Sequence, residues 1–142
     1  SPRLREQTSA ATLVYLMASL AIGPGLVTNE LLKDQFGRAR PSQVAEFGGT
    51  QRFTPPLVLS DQCERNCSFV AGDPSIGFTL IAAALAIPAA RRRLMASGLA
   101  FGFALGFMRM GQGAHFLSDV IFSFVANGLV FAALYGLILK KR

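Results

Sequence analysis

An all-α integral membrane bundle with four transmembrane helices is the fold this sequence predicts. Three observations carry that expectation. Apolar residues make up 51% of the 142-residue chain. Residues 7–29, 74–90, 94–108 and 120–139 contain no Asp, Glu, Lys or Arg. The basic residues between those stretches sort to one side of a membrane. A spanning helix needs about 20 apolar residues, and the first and last stretches reach that length. A soluble helical bundle with a buried core is the alternative, and it fits spans of that length poorly.

Span one runs from about Thr8 to Leu32. Gly23-Pro24-Gly25 interrupts it and predicts a kink, because proline removes a backbone donor. Pro41 biases Arg40 away from helical dihedrals, so the helix ends before it. Residues 42–72 form an outer loop rich in Gly, Pro, Ser and Gln. Structureless segments of that length are often functional. Phe47, Phe53, Leu57, Val58 and Leu59 favour a loop laid on the membrane surface. Span two opens near Asp73-Pro74-Ser75, with Asp73 as helix cap and Pro74 in the first turn. It ends before Arg91. Span three, Leu94 to Met108, is short, so its flanking arginines must reach the interface. Its Gly98, Gly102 and Gly106 recur every fourth residue and predict a small-residue packing face. Span four runs from His115 to Leu139. Residues 1–142 read as a single domain. The opening Ser1-Pro2, without Met, predicts a truncated N-terminus.

Net charge is +6, and its placement matters more than its size. Arg3 and Arg5 precede span one, Arg91, Arg92 and Arg93 separate spans two and three, and Lys140, Lys141 and Arg142 follow span four. The positive-inside rule puts all of these in the cytoplasm. The 33–73 loop and the 109–119 turn then share the outer face. Nucleic-acid binding is excluded, because the cations split between faces and form no stripe with interleaved aromatics. The two cysteines, Cys63 and Cys67, fall in the outer loop. An oxidising periplasm permits a disulfide there. Free thiols packing the loop are the other reading. One Cys pair and one His make a poor zinc site.

Polar chemistry concentrates in three clusters at the edges of the apolar runs: Lys33 to Pro41, Ser68-Phe-Val-Ala-Gly-Asp73, and Arg109 to Asp119. Lys33, Arg40 and Arg109 lie at helix ends on one side. Fixed cations there suit a phosphoryl group, which spreads negative charge over three oxygens. Interfacial anchoring is the plainer reading of membrane-edge cations. It is the reading given to Arg38, Arg52 and Arg65. His115 and Asp119 are four apart and share a face if span four has begun. Asp119 would then hold one imidazole nitrogen and leave the other free as a nucleophile. A lone histidine is more often structural. The neighbouring Asp119 and Arg109 weigh toward a site. Gly72 could offer backbone N–H groups to an anion at the start of span two.

Lys33-x6-Arg40-Pro41 and Arg109-x5-His115-x3-Asp119 resemble the first and third motifs of the type 2 phosphatidic acid phosphatase (PAP2) superfamily. Ser68-Phe-Val-Ala-Gly-Asp73 sits where the second motif belongs. The resemblance spans residues 33–119 and implies the last four helices of a six-helix membrane core. It implies His115 as the nucleophile that forms a phosphohistidine, with Asp119 as its orienter. It implies Lys33, Arg40 and Arg109 as phosphate-binding cations and Gly72 as a backbone donor. No metal and no cofactor are implied. Met108 replaces the serine that usually precedes Arg109. The second motif departs further. Ala71 stands where the family has a phosphate-contacting serine. A lost hydrogen bond of that kind is worth about 0.5–1.5 kcal/mol net. Asp73 stands where the family has the histidine that protonates the leaving group. A carboxylate is ionised at neutrality and donates a proton poorly. That predicts a preference for lipid diphosphates or sugar-1-phosphate lipids over phosphatidic acid.

The function expected is a metal-independent lipid phosphatase of a bacterial inner membrane, multi-pass, with its active site facing the periplasm. Its partner is a phosphorylated membrane lipid. Candidates are phosphatidylglycerophosphate, undecaprenyl diphosphate, phosphatidic acid and the lipid A phosphates. Ala71 and Asp73 also motivate a non-catalytic lipid-phosphate binder, and a lipid phosphotransferase is a third reading. The topology is directly testable. Reporter tags at residue 1, within 91–93 and at residue 142 are expected to read cytoplasmic, and tags within 42–60 periplasmic. A cytoplasmic signal from 42–60 would break up the proposed site.

Overall fold

A computed structural model describes residues 10–140. Arg3, Arg5, Lys141, Arg142 and the expected start of span one at Thr8 lie outside the described residues. Four long helices follow in order: α1 (Ala10–Leu32), α2 (Gly72–Ala86), α3 (Arg91–Gly111) and α4 (Leu117–Ile138). Among the described residues there is no strand, only an isolated bridge between Val44 and Gln51.

α1 starts as an ordinary α-helix over Ala10–Leu20 and widens to π-helical winding over Ala21–Leu32. The expected kink at Gly23-Pro24-Gly25 is therefore a change of winding. Pro24 has no N–H to donate, and the wider turn accommodates that loss. The Asn29 side-chain amide donates to the Pro24 carbonyl at 2.7 Å.

Helix boundaries differ from expectation around α2 and α3, and proline explains the one between them. Pro88 forces Ile87 out of the helical region, to φ −122° and ψ 83°, and α2 stops at Ala86. A single turn, Pro88–Ala90, then leads into α3, so Arg91, Arg92 and Arg93 form the first turn of α3. The short helix is thus α2, not the one after it. At its other end α2 is capped by Ala71, and Asp73 lies inside the first turn instead of capping it. With 15 residues α2 is about 22 Å long, against a hydrocarbon core of about 30 Å. The other three helices are long and apolar enough to cross a membrane. A short helix is tolerable in this place because α2 is the interior element, packed against α1, α3 and α4. Its Phe78, Ala82 and Ala84 are fully buried. Leu13 and Met17 of α1, Phe101 and Phe107 of α3, and Leu129 and Leu137 of α4 point outward instead.

Glycines let the two central helices touch. The fully buried residues of α3 are Gly98, Gly102 and Gly106, the stripe expected from their spacing. A Cβ on Gly77 would lie 2.7 Å from the Cα of Gly102, and one on Gly102 would run into the Phe78 ring. The α1–α4 seam is polar by contrast. Tyr15 Oη donates to the Phe131 carbonyl at 3.2 Å, and Asn127 Nδ2 donates to Thr28 Oγ1 at 2.9 Å.

The segment between α1 and α2 folds back over one end of the bundle. Ser60 N–H donates to the Phe36 carbonyl and Ser68 N–H to the Arg38 carbonyl, both at 2.9 Å. Ser42 N–H reaches the Gly113 carbonyl at 3.0 Å, fastening the loop to the α3–α4 turn. Cys63 and Cys67 are joined in a disulfide. Gly102→Leu is expected to lower stability in detergent by about 1–3 kcal/mol through overpacking. Gly136→Leu, whose Cβ would meet nothing within 4 Å, serves as the control. Thermal melts of the two variants check this.

Candidate active site

The site is built where four segments meet: the end of α1, the loop, the start of α2, and the α3–α4 turn. Asp119 lies at its base. It is the third residue of α4, so its carboxylate reaches back to accept the Phe116 N–H at 2.7 Å. That contact caps the helix and sets its start at Leu117. His115 therefore precedes α4 and does not share a helical face with Asp119. Their expected direct hydrogen bond is not formed: Nδ1 to Oδ2 is 3.9 Å. The imidazole Nδ1 instead lies 2.8 Å from the Ser68 carbonyl oxygen. A carbonyl can only accept, so Nδ1 carries a proton, and in the neutral ring Nε2 holds the lone pair.

The Asp119 carboxylate has three partners. Ser68 Oγ donates to Oδ2 at 2.5 Å and Phe116 N–H to the same oxygen, while Arg38 pairs with Oδ1 at 2.5 Å. Arg38 is only 2% exposed. It is not an interfacial anchor, as its place among the helix-end cations suggested. Its Nε donates to the Thr54 carbonyl at 2.8 Å and a terminal nitrogen to Ser118 Oγ at 2.9 Å. The Phe116 ring stacks 4.4 Å from its guanidinium carbon, and Phe53 lies 5.5 Å away. Arg52 and Arg65, by contrast, are exposed.

Above this base stand the cations. Lys33 follows the last turn of α1, and its pKa is lowered, first by burial and then by Arg40, with Arg109 adding to the repulsion. Arg40 is lowered by burial and by Arg109. Three cations thus stand close enough to oppose one another's charge, which an anion between them would relieve. The two arginines have tethers that leave donors free. Arg40 gives Nε and one terminal nitrogen to the Asn66 carbonyl, at 3.0 and 2.7 Å. Arg109 pairs through Nε with Asp73 at 2.7 Å and donates to Gln112 Oε1 at 2.7 Å. Asp73 is half exposed.

Gly72 opens α2 beside them. A Cβ there would sit 2.9 Å from Asn29 Oδ1 and 3.3 Å from Lys33 Nζ. Any larger residue there would crowd the Asn29 amide and the lysine nitrogen. Ala71 is buried, and its N–H donates to the Asp119 carbonyl at 3.2 Å. Burial lowers the His115 pKa to about 4; Asp119 and the Ser68 carbonyl oppose that shift, while Arg40 and Lys33 add to it. A cavity of about 350 Å³ opens beside His115, walled by Pro41, Phe47, Met110, Phe116 and Leu117. Among the described residues, no three His, Cys, Asp or Glu side chains are arranged to hold a metal ion.

This arrangement has a family. Residues 12–142 match the PAP2 superfamily. The chain belongs to that superfamily. Among curated proteins it is 43% identical over 129 residues to a protein named lipid A 4'-phosphatase from Francisella tularensis subsp. novicida (strain U112), covering 87% of this chain and 58% of that one. It is 38% identical over 129 residues to a protein of the same name from Rhizobium leguminosarum, covering 90% of this chain and 55% of that one. A third, from Rhizobium etli, is 38% identical over 122 residues. The chain spans about half the length of the curated relatives it matches. No solved structure matches it. Lys33, Arg40, Gly72, Arg109 and His115, singled out in the sequence by their spacing, lie together here. Motif spacing had not pointed to Arg38, the Ser68 side chain or Asn29, and no periodicity marks them.

Asp119→Asn removes the charge that pairs with a buried arginine, its one ionic partner among the described residues. Breaking such a pair costs about 3–5 kcal/mol when a partner is removed. Chemical denaturation in micelles is expected to show a loss approaching that range. Lys33→Met, which removes a repelled cation, is expected to leave stability nearly unchanged.

Proposed function

We propose that this chain carries the catalytic region of a membrane lipid phosphatase acting on a phosphate monoester of a lipid A-type glycolipid at the periplasmic face. The observation that carries the reading is His115. Its proton is fixed on Nδ1, and Lys33 and Arg40, two of three mutually repelling cations, face it. The cysteine pair in the segment between α1 and α2 suits an oxidising compartment. The names of the relatives supply the lipid class, and the apolar cavity beside His115 suits the non-phosphate part of such a lipid.

In this reading the phosphate sits among Lys33, Arg40, Arg109 and the Gly72 N–H. Arginine binds its oxygens in a fork and lysine as a point charge. The Nε2 lone pair of His115 attacks phosphorus, and the ester P–O bond breaks with its electron pair going to the departing oxygen. The cations hold the charge on the equatorial oxygens during transfer. Asp73 holds the acid position of the motif but is paired with Arg109, so the departing oxygen takes its proton from water at the mouth. A second water then cleaves the phosphohistidine and releases inorganic phosphate.

The Asp73–Arg109 pair favours one competing reading, attack at the anomeric phosphate, whose leaving group needs protonation least. Bis-phosphorylated lipid A distinguishes the two. Loss of the 4'-phosphate is expected, with phosphatidic acid turned over more slowly. Loss of the 1-phosphate alone would transfer the proposal to the anomeric position. Binding without release would make the chain a lipid-phosphate binder, and radiolabel passed to another lipid a phosphotransferase. His115→Ala is expected to reduce turnover by about 10³-fold or more. An acid-labile phosphate trapped on His115 checks the intermediate.

A further inference from the structure

We propose that Arg38 is a positioning residue which, by neutralising Asp119 and through it fixing Ser68, keeps His115 uncharged with its Nε2 lone pair available. The inference rests on the reading of His115 as the nucleophile.

The geometry contains an apparent contradiction. A carboxylate within 4 Å of an imidazole ordinarily stabilises the protonated ring. A protonated ring has no lone pair with which to attack phosphorus. Yet the Asp119 Oδ2 lies 3.9 Å from Nδ1, and both side chains are buried. Arg38 resolves it. Its guanidinium closes on the other carboxylate oxygen and offsets part of the charge that Asp119 presents to the ring.

The pair also holds Ser68 in place. Ser68 is gripped at three points: its N–H by the Arg38 carbonyl, its hydroxyl by Asp119, and its own carbonyl by His115 Nδ1. The serine carbonyl, a neutral acceptor, does the orienting that a carboxylate would do at the cost of protonating the ring. A buried ion pair is a poor stabilising device in itself, since apolar replacements often serve as well or better. Its position behind the chain's sole histidine gives it a purpose beyond stability. The aromatic faces of Phe116 and Phe53 and the Thr54 carbonyl hold the guanidinium so that it cannot swing toward the phosphate. Arg38 therefore serves the base of the site while Arg40, two residues on, serves the anion.

Other charges face His115 as well. Lys33 from the end of α1 and Arg40 from the loop disfavour its protonation, and Asp119 from α4 favours it. Arg109 of α3 and Asp73 of α2 are paired with each other. Removing Arg38 would leave Asp119 as an uncompensated anion beside the ring. The sign follows: the imidazole would gain its proton at a higher pH, and the acidic limb of activity would move up.

Since His115 is the only histidine, its ring can be read directly by ¹⁵N NMR of the histidine-labelled full chain in micelles, purified on a tag without histidine. The wild-type ring is expected to be neutral from pH 7 to pH 5 with its proton on Nδ1. Arg38→Gln is expected to move its titration upward by about one unit or more. Arg38→Lys, which keeps the charge, is expected to reverse most of that shift. An Nε2-protonated wild-type ring, or one titrating near the ordinary value of about 6.5, overturns the proposal. So does an identical titration in the wild type and Arg38→Gln. Where Arg38→Gln does not fold, the wild-type tautomer and the Arg38→Lys titration decide. A neutral Nδ1-protonated ring in a chain that releases phosphate from no lipid would sink the phosphatase reading and leave the positioning role standing. Turnover with the opposite tautomer would do the reverse.

Discussion

The structure depends most on one buried carboxylate. Asp119 has no exposure, and it joins three stretches of the chain that are far apart in sequence. It caps α4 through Phe116, takes the guanidinium of Arg38 from the loop, takes the hydroxyl of Ser68, and through its own backbone carbonyl receives the N–H of Ala71 at the start of α2. A carboxylate removed from water must be matched in charge and hydrogen bonds, or it destabilises the fold by several kcal/mol. Meeting that demand brings the loop, α2 and α4 to one point. The chemistry of the site is laid over that point.

The bundle around it solves a different problem. A helix of 15 residues is short for a bilayer, yet α2 carries Gly72 and presents its first turn to the cations. Placing it inside the bundle lets α1, α3 and α4 meet the lipid on its behalf. The close approach of α2 and α3 that this requires comes from Gly77 and Gly102, which meet almost backbone to backbone. Lipid tails are as apolar as leucine, so such close fit, rather than hydrophobic burial, drives helix association in a membrane.

Much of this was legible in the chain. Charge-free runs marked the apolar helices, the spacing of Gly98, Gly102 and Gly106 marked the packing face, and the motif residues of the candidate site could be named. What could not be read involved partners distant in sequence or competing local uses of one residue. Arg38 looked like one more cation at a helix end, because nothing in a sequence announces a partner 81 residues away. Asp119 looked like the direct partner of His115 because four residues separate them. The helix began two residues later than that reading needs, since the same carboxylate was spent on capping. Pro88 was the missed local signal. Its restriction of Ile87 ends α2 and makes the three arginines part of α3.

The Cys63–Cys67 bridge, finally, bears on how ready the site is. Arg40 leans two of its donors on the carbonyl of Asn66, and Asn66 lies inside the small ring that the bridge closes. Arginine is among the side chains with the most rotameric freedom to lose, about 1.5–2 kcal/mol of it. A tethered carbonyl holds that side chain with no ligand present. The ordering is done while the protein folds, so on the proposed phosphatase reading less of the affinity for a phosphate group is consumed in arranging Arg40.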